Sequence, residues 1–145
     1  MEYKELSNLY LDLSEEILKD INFDSSLKDN HRQLLFISCI ENSLDCEANN
    51  IYETYKNDLE PIKDFNFESK WKKLTEISSI KNIVNIEFDP DGLLTILQDS
   101  KERIISVPDT NIISTSKLND LKKFSLILNK YKSFKELLRK LLDEC

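Results

Sequence analysis

The sequence has a single glycine, Gly92, and a single alanine, Ala48, among its 145 residues. Phosphate-binding loops and dinucleotide fingerprints need several glycines, because their backbone must approach a phosphate closely or adopt a positive φ. The shortage of glycine therefore excludes P-loops, Rossmann fingerprints and nucleophile elbows. We accordingly expect the protein to use no cofactor.

Cysteine and histidine, which supply most metal sites, are also scarce. Cys39 and Cys46 are seven residues apart in a helical stretch, or about 10 Å along its axis, which exceeds disulfide reach. The single histidine, His31, precedes Cys39 by eight residues, and no zinc-binding spacing of cysteine and histidine occurs. We expect buried, inert thiols at Cys39 and Cys46, an exposed thiol at Cys145, and no metal site.

Long apolar runs are missing as well. No stretch approaches the roughly 18 consecutive apolar residues of a membrane span. The first five residues, Met-Glu-Tyr-Lys-Glu, lack the basic and then apolar order of a signal peptide. These features predict a cytoplasmic protein that does not bind membranes.

Acidic residues, in contrast, are abundant. The chain has 27 acidic and 20 basic side chains, for a net charge of -7. Residues 1–70 contain 16 acids and 7 bases, whereas residues 71–145 contain 11 acids and 13 bases. A net negative charge repels free nucleic acid and anionic membranes, so it favours a basic protein as the partner.

The spacing of apolar residues predicts helices at both ends of the chain. Apolar positions three and four residues apart predict helical segments within residues 4–79, including a long helix ending near Pro61. Residues 22–26 carry turn and N-cap residue types before the helical pattern resumes, and Asn66 can cap a further helix. The same spacing, with a capping-box pattern at Ser133–Glu136, predicts helical structure over 116–143.

Between these helical regions, the pattern changes to one typical of strands. Residues 83–88 read Ile-Val-Asn-Ile-Glu-Phe, and Asp-Pro-Asp-Gly follows at 89–92 as a turn in which Gly92 permits a positive φ. Residues 93–98 and 103–107 supply two further β-rich runs. The sequence therefore predicts a three-stranded antiparallel β-meander over 83–107 and a single α+β domain over 1–145, with helices on one sheet face.

The leading functional hypothesis rests on acids in the predicted long helix. Most acids in residues 41–60 fall away from its apolar stripe, and they can be presented together to a basic partner. An aromatic side chain beside them suits an interface centre. The predicted partner-binding residues are Glu41, Asp45, Glu47, Asn49, Tyr52, Glu53, Asp58 and Glu60. This pattern favours a non-enzymatic protein that inhibits a basic partner, such as a bacterial immunity protein against a nuclease toxin or an anti-defence inhibitor.

An alternative interpretation is enzymatic. Pro90-Asp91 is followed by Asp99-Ser100-Lys101, an order that resembles the PD-(D/E)xK nucleases. The resemblance implies that Asp91 and Asp99 hold a divalent metal while Lys101 positions the attacking water. It covers about twelve residues, and it departs from the family pattern because Ser100 replaces the usual apolar residue in a predicted turn.

A third interpretation is a homo-oligomeric scaffold subunit. The leucine-rich segment at 134–142 has the apolar content of a self-association face. The same leucines are equally able to cover the predicted sheet, so the sequence leaves both uses open.

Overall fold

The computed structural model describes residues 2–59, 66–105 and 117–143. Every regular element in these ranges is a helix: α1 (Tyr3–Asp20), α2 (Leu27–Tyr55), α3 (Phe67–Leu74), α4 (Lys81–Ile86), α5 (Leu93–Ile105) and α6 (Lys117–Asp143). The predicted α+β class is therefore wrong, since the described part of the chain contains no strand.

The predicted β-meander over 83–107 is replaced by two helices and a turn. Residues 83–86 lie in α4, residues 93–105 form α5, and residues 106–107 are outside the described ranges. Leu93, Leu94 and Leu97 are all buried, and this is the spacing of one helix face, not of a strand face. Strand propensity is a small effect that depends on context, so burial of these leucines outweighs it.

The turn between α4 and α5 also differs from the prediction. Gly92 does not have a positive φ. A Cβ atom at this position would instead overlap the backbone carbonyl of Glu87, while the Gly92 N–H donates to the Asp89 carbonyl over 2.8 Å. Glycine is needed here because two backbone segments approach closely.

The predicted cap at Asn66 is confirmed, and Ser26 provides the cap expected within residues 22–26. The Ser26 hydroxyl accepts a hydrogen bond from the Asp29 N–H over 3.1 Å at the start of α2. The Asn66 side chain accepts from the Ser69 N–H over 2.8 Å at the start of α3. Each cap satisfies a backbone donor that has no partner inside its own helix. The predicted capping box at Ser133, in contrast, lies inside the continuous helix α6.

An apolar core joins the helices around large aromatic side chains. Trp71 of α3 is fully buried, donates from its indole N–H to the Leu44 carbonyl over 3.2 Å, and lies with its ring centre 5.1 Å from that of Phe134. Phe36 of α2 stacks on Phe124 of α6 with ring centres 5.0 Å apart. These contacts hold α2, α3 and α6 together. Helix α1 lies against α2 and α6.

Candidate binding surface

Two of the predicted partner-binding acids are neutralised within the chain. The Glu41 carboxylate lies 3.2 Å from the Lys101 ammonium of α5, and the Asp45 carboxylate lies 2.7 Å from the Lys70 ammonium of α3. Both acids line a polar pocket of about 310 Å³ between these helices. Because each charge already has a lysine partner, the pair adds little negative potential for an external cation.

A third acid, Glu47, lies on the opposite side of α2. Its carboxylate is 3.9 Å from the Lys135 ammonium of α6, and both side chains are only 14% exposed. Glu47 and Glu41 are six residues apart, which rotates them by about 240° around the helix axis. The structure therefore does not bring Glu47 to the surface that the sequence predicts.

The remaining predicted residues fall into three groups. Asn49 and Tyr52 are half-buried, and Tyr52 packs against the core. Glu53 and Asp58 are exposed, with Glu53 in an ion pair with Lys56 over 3.2 Å. Glu60 lies outside the described residues. On α2, the helical repeat places Asn49, Tyr52 and Glu53 on the side that carries Glu41 and Asp45.

A more continuous acidic surface lies on α1, where sequence analysis did not place it. Each residue of an α-helix is rotated by about 100° from the one before it. On this basis seven side chains, one just before α1 and six within it, fall inside a sector of about 100° around the helix axis. Leu9 and Leu13 are 43% and 42% exposed and lie midway along the helix, Leu9 inside the sector and Leu13 at its edge. We call this surface the acidic face; its residues are Glu2, Glu5, Leu9, Asp12, Leu13, Glu16 and Asp20.

Most charges of the acidic face form no ion pair with the residues that the structure describes, although the Asp12 carboxylate acts on Lys135 of α6, whose pKa burial lowers and this charge raises. Glu16 pairs with Lys19 of the same helix over 3.2 Å. Within residues 2–59, 66–105 and 117–143, the other four acids form no ion pair. Asp20 also lies in the last turn of α1, where the helix dipole disfavours a negative charge. A cation supplied from outside the chain would therefore be favourable at this face.

The acidic face is not evident from the sequence because Leu9 and Leu13 lie at helical spacing with Leu6 and Ile17, a pattern typical of residues that face the core. The residues of α1 that are buried completely are Ser7 and Ser14, and Leu11 and Leu18 pack against the core on the same side. Serine lets α1 approach its neighbours closely, since its side chain is small. The signal was present in the sequence as a second stripe, with spacings of four, three and four residues from Ser7 to Leu18.

Below α1, a buried polar cluster connects three helices. The Ser43 hydroxyl donates to the Ser7 carbonyl over 2.6 Å and lies 2.6 Å from the Tyr131 hydroxyl. The Lys135 ammonium donates to the Ser7 hydroxyl over 3.0 Å and to the Asn8 side-chain oxygen over 2.8 Å. The cluster thus joins α1, α2 and α6 through hydrogen bonds.

Burial changes the acid–base properties of this cluster. It lowers the pKa of Lys135, against the opposing effect of the Glu47 charge. It raises the pKa of Tyr131, against the hydrogen bonds from Ser43 and Ser7. A lysine beside a serine can act as a general base for that serine. Ser7 is fully buried, however, so no substrate reaches its hydroxyl in this conformation.

The residues of the predicted nuclease site do not converge. Asp91 lies in the turn before α5, and Asp99 and Lys101 lie two residues apart on α5, which places them on different sides of the helix. Lys101 is paired with Glu41, while Asp99 is exposed to solvent. Among the residues that the structure describes, no group of histidine, cysteine, aspartate or glutamate side chains could hold a metal ion.

The buried thiols agree with the sequence prediction. Cys39 and Cys46 are free and buried, and burial raises the pKa of both thiols. Cys145 lies outside the described residues. A raised pKa disfavours the reactive thiolate, so neither buried cysteine is suited to nucleophilic catalysis.

Comparison with known proteins gives no relative: no protein family, curated protein or solved structure matches the chain. None of the helices in the described ranges has the length and apolar content needed to cross a bilayer.

Proposed function

We propose that this protein is a non-enzymatic binding protein that neutralises a basic protein partner through the acidic face of α1. The observation that carries the proposal is the position of Leu9 and Leu13, each more than 40% exposed, among acids of which four form no ion pair with any described residue. Apolar side chains at the centre with charges around them are typical of protein–protein interfaces.

The charges and the leucines have different roles in this proposal. Unpaired acids attract a basic protein over a distance and exclude acidic ones, so they set the association rate and specificity. Leu9 and Leu13 supply apolar area whose burial stabilises the complex. The partner should therefore carry lysine or arginine around exposed apolar side chains.

A cationic nuclease is a partner with this chemistry, because it must attract nucleic acid phosphates. An immunity protein against such a toxin, or an anti-defence inhibitor of a basic host protein, is the concrete form of the proposal. The net charge of -7 and the lack of cofactor motifs support it. Glu53 and Asp58, which remain exposed, are candidates for a secondary contact.

The test begins with capture of partners by the tagged protein from a lysate of its own source, with elution by increasing salt. The eluted basic protein is then purified, and its affinity is measured by calorimetry against two variants of equal charge. Glu5→Lys/Asp12→Lys/Asp20→Lys changes the acidic face, whereas Asp89→Lys/Asp91→Lys/Asp99→Lys changes exposed acids elsewhere.

We expect the first variant to weaken binding by about 10- to 100-fold and the control variant to change it by less than about threefold at the same salt concentration. Equal losses in the two variants would show a non-specific charge effect and would overturn the assignment of the acidic face. Binding that does not weaken with salt would contradict the electrostatic basis of the proposal.

A further inference from the structure

The outer surface of α6 has the opposite character to that of α1. Six of its residues fall within a sector of about 80° around the helix. Leu126 and Leu137 are 46% and 47% exposed, and three lysines surround them. We call this surface the basic face; its residues are Lys122, Leu126, Lys130, Ser133, Leu137 and Lys140.

The lysine charges of the basic face, like most of the charges on the acidic face, are left without an ion-pair partner by the described residues. In the described parts of the chain, none of the three forms an ion pair. The lysines of α6 that face α1, in contrast, are engaged: Lys132 pairs with Glu15 over 2.7 Å, and Lys135 donates to Asn8 over 2.8 Å.

The charges of the two faces have the same spacing. Glu2, Asp12 and Asp20 follow one another at intervals of 10 and 8 residues. Lys140, Lys130 and Lys122, taken in reverse order, also follow at intervals of 10 and 8 residues. Each series spans about 27 Å along its helix, so two antiparallel helices would bring three opposite charges into register. In a parallel arrangement the middle pair would be displaced by two residues, or about 3 Å.

The apolar residues fit the same register. With Glu2 opposite Lys140 and Asp20 opposite Lys122, Leu9 and Leu13 lie opposite the interval between Leu126 and Leu137. Leucines that are offset along two helices in this way, with one pair between the members of the other, can interdigitate, as side chains do in helix packing generally. The small side chain of Ser133 lies within that interval and leaves room for the two leucines.

We propose that a second copy of this chain occupies the acidic face, with its basic face packed antiparallel on α1. This inference rests on the proposed function, because it assumes that the acidic face is a binding surface, and it names an occupant for that surface when no foreign partner is bound. Self-association would then compete with the basic partner, which must displace α6 of the second copy.

The two faces cannot meet within one molecule. In a single chain, α1 and α6 contact each other through Asn8 and Glu15 on one side and Lys132 and Lys135 on the other. These contacts leave both faces directed elsewhere. Each copy carries one face of each kind, so the contact forms twice across a two-fold axis or propagates from copy to copy.

Sedimentation velocity of the full chain tests the proposal. A contact of one helix pair is small, so we expect self-association at about 100 µM protein in low salt and its loss at about 0.5 M salt. Lys122→Glu/Lys130→Glu/Lys140→Glu and Glu2→Lys/Asp12→Lys/Asp20→Lys should each be monomeric. A control, Lys28→Glu/Lys72→Glu/Lys81→Glu, reverses exposed lysines elsewhere and should behave like the wild type.

Mixing the two monomeric variants gives the sharpest result. One variant then carries two acidic surfaces and the other carries two basic surfaces, so we expect the equimolar mixture to associate at low salt. Circular dichroism establishes that both variants are folded. A mixture that remains monomeric would overturn the proposal, and so would a wild-type protein that is monomeric at low salt or equally associated at high salt.

The same variants separate this inference from the proposed function. The α6 variant retains the acidic face, so it should bind the basic partner at least as tightly as the wild type does, whereas the α1 variant should lose both interactions. If the wild type is monomeric and the α1 variant loses the basic partner, only the self-association proposal is overturned. If the wild type associates and the α1 variant still binds the basic partner, only the proposed function is overturned.

Discussion

The hydroxyl oxygens of Ser43 and Tyr131 lie 2.6 Å apart in a buried position between α2 and α6. Tyr131 also approaches the Ser7 hydroxyl over 3.4 Å, and it is fully buried. This contact joins residues that are 88 positions apart in the chain and places α1 over both other helices. Its strength can be measured by removing the tyrosine hydroxyl.

Tyr131→Phe should lower the free energy of unfolding by about 1–2 kcal/mol, because Ser43 loses a buried hydrogen-bond partner while the ring remains in place. Urea denaturation measures the change. Tyr10→Phe is the matched control, since Tyr10 is half-buried, and we expect it to change stability by less than about 0.5 kcal/mol. Similar losses in both variants would contradict the role of the Tyr131 hydroxyl.

Stability at alkaline pH should depend on the same residue. Burial raises the pKa of Tyr131 above its ordinary value of 10.0. Above about pH 10, the unfolded chain therefore loses a proton that the folded chain keeps. The contribution of Tyr131 to the free energy of unfolding then falls by up to about 1.4 kcal/mol for each unit by which the pH rises. Below about pH 10 the contribution is fully present.

Comparison of the wild type with Tyr131→Phe isolates this effect. The difference in their free energies of unfolding should be constant below about pH 9.5 and should shrink between about pH 10 and about pH 11. Lys135, whose pKa burial lowers, is present in both proteins, so its own titration largely cancels. A difference that is independent of pH over this range would be inconsistent with the burial of the tyrosine.

Asp29 should be essential to the connection between α1 and α2. Its buried carboxylate accepts from the N–H groups of Asn22 and Phe23 over 2.7 and 2.8 Å, and from the Gln33 side chain over 3.0 Å. Asp29→Asn replaces one acceptor oxygen with a donor, and we expect a loss of about 1–3 kcal/mol. Urea denaturation of Asp58→Asn, an exposed control, should show almost no change; equal stability of the two variants would refute the prediction.

Gly92→Ala should destabilise the protein by about 1–3 kcal/mol, because its Cβ would overlap the Glu87 carbonyl and force the turn to shift. The sign of the effect is informative. In a turn with free space and a negative φ, replacing glycine with alanine stabilises a protein by about 0.4–1 kcal/mol. Thermal denaturation that showed a higher melting temperature would therefore exclude the close approach.

Cys39 and Cys46 should resist alkylation in the folded protein. Both are buried, and burial raises the pKa of both thiols, so little thiolate is accessible to iodoacetamide at neutral pH. Peptide mass spectrometry should find these two residues labelled only after denaturation. Rapid labelling of Cys46 in the native protein would show that α2 opens locally at this position.

The failed prediction over 83–107 shows how local preference and tertiary burial compete. Ile83, Val84 and Ile86 are β-branched and favour strands locally. In the structure, Val84 is fully buried and Ile86 is 58% exposed, so only some of the apolar residues of this segment belong to the core. A six-residue helix places Val84 in the core with Leu93 and Leu97, and no neighbouring strand is present in the described residues to pair with this segment.

The candidate site was predictable only in part. Sequence analysis located the negative charge in the N-terminal half, and the acidic face of α1 lies there. It could not identify the acids that lysines neutralise, because the partners are distant: Lys70 is 25 residues from Asp45, and Lys101 is 60 residues from Glu41. Local spacing carries no information about such pairs.

The amino-acid sequence by itself determined the helices α1, α2, α3 and α6, the cap at Asn66 and a cap within residues 22–26, because each depends on residues within a few turns of one another. It also determined the excess of negative charge, which is a matter of composition. Only the tertiary structure decided which stripe of α1 is buried, which acids remain unpaired, and whether 83–105 is strand or helix. Those outcomes depend on burial against distant residues, and the free energy of that burial exceeds the small local preferences that a sequence pattern reports.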